Sequence, residues 1–160
     1  MTTIATEKYD SREDTEKHIR RINQLTDDFT ARLRQQASRH DLSKLEDPEK
    51  KMFDEITSKL KENSYGSDGY KAILKEMQGG LAVHYKNNSH HPEHYINGIA
   101  GMDLFDIVEM LADWKAATER SKDGDIGKSL KIQKERFVIS DQLYSILENT
   151  AKKLGWMRPI

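Results

Sequence analysis

The stretch from Met102 to Arg120 reads MDLFDIVEMLADWKAATER. It is apolar on nearly every side except where Asp106, Glu109 and Asp113 project, which is the pattern of a central helix in a helical bundle. Asp106 and Asp113 stand seven apart and share a face. Asp113 is bracketed by Leu111, Ala112, Trp114, Ala116 and Ala117. A carboxylate in such company calls for a cation, whereas Asp106 fits an exposed polar stripe as well as an inward one.

Outward from this centre, helical periodicity recurs along the chain. On the N-terminal side, Ile19, Ile22, Leu25, Phe29 and Leu33 form an amphipathic stripe over Arg12–Ala37. Asp47 as N-cap and Pro48 at the first helical position announce a second helix, with Met52, Phe53, Ile56 and Leu60 on its inner face. After a turn-rich break from Tyr65 to Gly69, Tyr70, Ile73, Leu74, Met77, Leu81 and His84 continue at helical spacing, and Gly79-Gly80 predicts a kink. Asn87–Gly98 reads as an irregular loop in which Pro92 starts a short helix. Ser121–Gly127 is a polar turn, and a final long helix runs from about Lys128 to Leu154 with Gly155 as its stop. No strand pattern interrupts this series. The expectation is an all-α, compact single-domain bundle of about five to seven helices over 1–160, with 1–10 a flexible N-terminus.

Composition narrows the chemistry. Hydrophobic residues make up 36% and charged residues 33% of 160 residues, the balance of a helical domain with a charged outer surface. Cysteine is absent, so any metal must be held by imidazole and carboxylate, and the search narrows to six histidines and the acids. A net charge of −1 supplies no general basic field for a nucleic-acid polymer. The sequence has no run of about 18 apolar residues, the length that spans a bilayer. Met1–Asp10 has neither the apolar segment nor the cleavage site of a secretory signal, so a cytoplasmic protein is expected.

The histidines fall into a pattern. His18 shares the first stripe with Ile22, Leu25 and Phe29, and His84 lies in line with Met77 and Leu81, so both read as inward. One inward histidine is ordinary packing. Two of them, with His40-Asp41 at a helix end, a His90-His91 pair and Asp113, are harder to satisfy by packing, because each buried polar group needs a partner. A shared divalent cation (manganese, cobalt, zinc, magnesium or iron, as one ion or two) satisfies all of them together.

The order His18, His40-Asp41, Asp113 resembles the signature of the HD-domain superfamily of metal-dependent phosphohydrolases, in which a His, a His-Asp pair and a distant Asp come from helices. His40-Asp41-Leu42-Ser43-Lys44 is similar to the signature of the branch that cleaves cyclic dinucleotides, and Ala112 to Arg120 to that branch's last metal-binding segment. That branch's Gly-Tyr-Pro triplet is missing, so its substrate is not carried over. The string His90-His91-Pro92-Glu93-His94 is similar to that of a small bacterial and phage group in the superfamily. The resemblance implies His18, His40, Asp41 and Asp113 as ligands of one ion, and His84 with His90 or His91 as ligands where a second is held.

It further implies hydrolysis of a phosphoester in a small nucleotide, a nucleoside monophosphate or a deoxynucleoside triphosphate, by a metal-activated water in which Asp41 takes part. Lys44 and Lys115 are candidates for phosphate oxygens, Tyr85 and Trp114 for stacking on a base, and Glu93 and Glu109 for proton transfer or for orienting a ligand histidine. Two other readings stand beside it: an HD-type di-iron oxygenase, and a non-catalytic helical module held together by its metal. Asp14, one turn before His18, serves as a further ligand or as a cap. Glycines in the third helix and apolar faces on the outer helices leave room for a homodimer.

Overall fold

The computed structural model describes residues 9–61, 63, 67–76, 78–120 and 122–157. Their regular secondary structure is all helical, with no strand among the described residues, as the periodicity predicts. The chain divides into two compact units, Met1–Ser38 and Arg39–Ile160, each described by itself. Most of the expected flexible N-terminus (1–8), parts of the expected turns (Tyr65, Ser121) and the inner-face Met77 lie outside the described residues. So do the side chains of Leu60, Tyr70 and Leu74.

The first unit is the helix α1, Arg12–Ala37, with the bounds expected from sequence. Its acidic start at Glu13 and Asp14 and basic end at Arg34 complement the helix dipole. Taken by itself, α1 has no buried residue, and Ile19, Ile22, Leu25 and Phe29 are 53, 47, 46 and 38% exposed. Helical spacing creates an apolar face, but burial needs a surface to receive it, and this unit holds no second described element. His18 is exposed with them.

In the second unit, a 3-10 turn at Leu42–Leu45 leads into α2 (Glu49–Lys61), α3 (Asp68–Glu76) and α4 (Gln78–Asn87). The helical run expected from Tyr70 to His84 falls into two elements, α3 and α4, with Gly79-Gly80 in the first turn of α4. A Cβ at Gly80 would lie 1.6 Å from the Met52 sulfur, so a larger residue there would have to displace the Met52 side chain. Two more 3-10 turns, Pro92–His94 and Gly98–Gly101, carry the chain to α5, Leu104–Glu119. Asp103 caps α5 by accepting the N–H groups of Phe105 and Asp106, and the Asp106 carboxylate accepts the Asp103 N–H in return.

The single long helix expected over 128–154 is two helices, α6 (Ile126–Arg136) and α7 (Asp141–Lys153). Asp125 caps the first, and Ser140 caps the second by accepting the Leu143 N–H. Between them Val138 takes φ 51°, a left-handed conformation that disfavours a β-branched residue and breaks the helix. The apolar period continues across this break, which is why spacing alone reads it as continuous.

The core lies between α5, α6 and α7. It contains Met110, Leu111, Trp114, Ile126, Leu130, Ile139, Leu147 and Ala151, and Leu130 and Ala151 are fully buried. Packing one face of α5 here leaves Asp106, Glu109 and Asp113 to line another, where they meet the segment 39–49 and the loop after α4.

Candidate metal centre

His40 and Asp41 sit between the two units' boundary and the first 3-10 turn, and Asp41 adopts φ 55°, ψ 15°. A non-glycine residue there costs about 1–2 kcal/mol, least for Asp and Asn, and such strain clusters at functional sites. The Asp41 side chain faces two groups of atoms. Its Oδ1 lies 3.5 Å from His84 Nε2 and 3.7 Å from His90 Nε2. Its Oδ2 accepts Lys44 Nζ at 2.6 Å and lies 3.4 Å from His40 Nε2, which in turn is 3.7 Å from Asp113 Oδ1.

The histidines are oriented by buried carboxylates. Glu49, 2% exposed at the start of α2, accepts His84 Nδ1–H at 2.9 Å, Asn87 Nδ2 at 2.7 Å and Ser43 Oγ at 2.8 Å. With Nδ1 donating to Glu49, His84 turns an Nε2 lone pair toward Asp41 and toward His91 Nε2, 2.9 Å away. Asn88 spans Ser43 Oγ and the His84 carbonyl, holding the end of α4 on the 3-10 turn. Glu109 Oε1 lies 2.9 Å from His40 Nδ1 and 3.4 Å from His90 Nδ1.

Ligand atoms of Asp41, His84, His90 and His91 all lie within 4.8 Å of one another, and so do those of His40, His90 and Glu109. A cation bonded at about 2.1 Å to two nitrogens, at angles between a right angle and the tetrahedral one, separates them by roughly 3.0–3.4 Å. His84 Nε2 and His91 Nε2, 2.9 Å apart, lie at the short end of that spacing. Two atoms at the centre of the first group, Asp41 Oδ1 and His90 Nε2, are buried without a hydrogen-bond partner among the described residues. Orphaned buried polar atoms are rare and costly, and two that face each other across 3.7 Å are a pair that a shared cation would satisfy.

The electrostatics agree. Four carboxylates, Asp41, Glu49, Glu109 and Asp113, meet one lysine, Lys44, and the imidazole of His40. Asp113 and Glu109 raise the His40 pKa to about 10 against the opposing effect of burial. Burial pushes the carboxyl of Asp41 up, but the Lys44 hydrogen bond and the neighbouring charges outweigh it and hold the group below its usual range. Glu49 and Asp113 are likewise pushed up by burial and held low by their hydrogen-bond donors, Asn87, His84 and Ser43 in one case and His40 in the other. His91 moves the opposite way, down to about 3, through burial and then the repulsion of His90 and His84. It is therefore neutral at pH 7 and keeps a lone pair to offer.

Of the residues singled out by sequence, the structure brings together His40, Asp41, Lys44, His84, His90, His91, Glu109 and Asp113. Tyr85 borders the group, half-buried, with its ring 5.0 Å from that of His91. His18 and Asp14 belong to the first unit, on α1. The remaining candidates of the second unit are engaged outside the cluster. Trp114 is not a stacking surface: it is buried in the core, parallel to Phe137 at 6.1 Å, because its helix face is the packed one. Lys115 pairs with Glu119 one turn along α5, and Glu93 pairs with Arg136 at 2.6 Å, so ion pairs already engage both side chains. His94 bonds the Tyr85 carbonyl and is exposed. Asp106, open to either reading in the sequence, is 3% exposed. Sequence reading missed Glu49, Ser43 and Asn88. Glu49 passes for an ordinary first-turn acid, and only its distance from His84 reveals more.

Fold and site define an all-α protein with a buried cluster of histidines and carboxylates whose composition suits a divalent cation. By sequence the chain belongs to a family of unknown function, DUF5662, which it matches over residues 7–153. No curated protein and no solved structure matches it. No helix among the described residues is long and apolar enough to cross a membrane.

Proposed function

We propose that this protein is a metal-dependent phosphohydrolase of the HD type, cleaving a phosphoester of a small nucleotide. The observation that carries the reading is the pair of orphaned buried atoms, Asp41 Oδ1 and His90 Nε2, inside a ring completed by the Nε2 atoms of His84 and His91. These four residues would hold a cation, with His40 and Asp113 beside the other oxygen of Asp41. When bound, a divalent cation lowers the pKa of a ligand water and draws electron density from a phosphoryl oxygen.

The chain's own residues supply the remainder. Glu49 fixes the tautomer of His84, and Glu109 orients His40 and His90. Lys44, within reach of the same space and held over the Phe53 ring at 4.7 Å, presents a positive charge to phosphate oxygens that the surrounding carboxylates would otherwise repel. Tyr85 offers a ring at the edge of the cluster for a base or sugar. Glu109, on α5, contacts both His40 and His90, which makes it the candidate for handling a proton through His40.

The test is metal analysis of the purified protein together with a phosphate-release screen over nucleoside monophosphates and deoxynucleoside triphosphates in manganese, cobalt or zinc. Asp41→Asn, which tolerates the left-handed backbone, serves as control. Metal-dependent release that vanishes in the variant supports the reading. Bound iron with oxygen-dependent turnover and no phosphate release would move the assignment to the oxygenase, and a protein that takes up no ion would overturn it.

A further inference from the structure

The metal centre draws two histidines from a loop, and loops do not hold side chains still by themselves. His90 and His91 lie between two hydroxyls that converge on one buried carboxylate. Ser89 Oγ donates to Asp106 Oδ1 at 2.6 Å, and Tyr95 OH donates to Asp106 Oδ2 at 2.6 Å. Asp106 is itself fixed, because its Oδ2 also accepts the Asp103 N–H at 3.3 Å within the capping box of α5. Tyr95 is pressed against the backbone at Gly101, where an added Cβ would lie 2.7 Å from the tyrosine Cβ. Burial and Asp106 push the Tyr95 hydroxyl up to about 12, so it remains a donor. One turn further along the same face of α5, Glu109 meets His40 and His90, and Asp113 follows on the next turn.

From this geometry we infer that Asp106 is a positioning residue of the metal centre: it ties both ends of the His90-His91 segment to the helix face that carries Glu109 and Asp113. The inference rests on the proposed metal reading. Its chemistry is that of a carboxylate at one remove from the ligands, which sets the direction of their nitrogens rather than touching the ion. A buried aspartate serving the fold alone would satisfy the same two hydroxyls, but its loss would lower stability without changing how a cation is held.

Cobalt(II) alone is the probe, titrated into the full chain and followed by its visible absorption bands and by calorimetry, with thermal unfolding measured in parallel. Asp106→Asn keeps the shape of the side chain and removes one acceptor. A Ser89→Ala, Tyr95→Phe double variant leaves Asp106 in place and carries the test if Asp106→Asn does not fold. The expected result is a folded helical protein that binds cobalt at least about tenfold more weakly, with an altered band pattern, which is the usual size of an outer-sphere effect. Wild-type affinity and wild-type bands in variants whose melting temperature has fallen would overturn the inference and leave the metal reading standing. A wild-type protein that takes up no cobalt would overturn both.

Discussion

Glu49 Oε2 lies 2.9 Å from His84 Nδ1, and this bond decides which nitrogen of His84 faces Asp41 and His91. A residue at the start of α2 thus governs the chemistry of one at the end of α4. Replacing Glu49 with Gln keeps the volume but lets the amide present a donor to the ring, favouring the other tautomer. We expect Glu49→Gln to weaken cation binding by about 10- to 100-fold, read by competition against a chelator of known affinity.

Cation binding should also appear as stability. An ion that binds only the folded chain adds about 2.7 kcal/mol at a concentration one hundred times its Kd. Thermal unfolding with manganese, cobalt or zinc should therefore shift upward and return on chelation, and Asp41→Asn should abolish the shift.

The ion-free protein should be most stable near pH 6.5. His40, raised in the fold from 6.5 to about 10, contributes fully below pH 6.5, and its contribution is lost as pH rises through about 10. His91, lowered to about 3, contributes fully above pH 6.5 and loses its contribution as pH falls toward 3. The carboxylates held low at Asp41, Glu49 and Asp113 add to the acid-side loss below their ordinary values. Urea unfolding at pH 4.5, 6.5 and 9 should give a maximum at the middle condition; a monotonic trend would contradict these assignments.

Lys44 separates substrate handling from cation binding. Lys44→Ala removes the charge beside Asp41 Oδ2 without removing a nitrogen or oxygen ligand. Phosphate release should fall by about 100-fold in kcat/KM, the scale of losing one charge-stabilising donor, while calorimetry finds cation affinity retained or raised.

The core makes a separate prediction. Leu130 is fully buried among Met110, Trp114 and Leu147, and Leu130→Ala should cost about 2–5 kcal/mol in chemical denaturation.

Much of this architecture is legible in the chain. The bounds of α1, the central place of α5 and the short turn at Pro92 follow from apolar spacing and capping residues, which act over a few positions and need no knowledge of neighbours. The same local rule misleads where a neighbour decides. Gly79-Gly80 looks like a break, yet Gly80 lies inside α4 against Met52, and the single helix read over 128–154 is two.

The sequence by itself determined that the protein is helical, that any metal must be held by imidazole and carboxylate, and that His40-Asp41 and Asp113 are the acids and imidazole to watch. Only the tertiary structure decided that Glu49 aligns His84, that Asp106 is buried under Ser89 and Tyr95, and that Trp114 belongs to the core. The physical reason is range. Helix formation and ligand type are properties of a residue and its near neighbours, whereas tautomer, burial and the convergence of lone pairs depend on distant partners, such as His40 and Glu109, 69 positions apart.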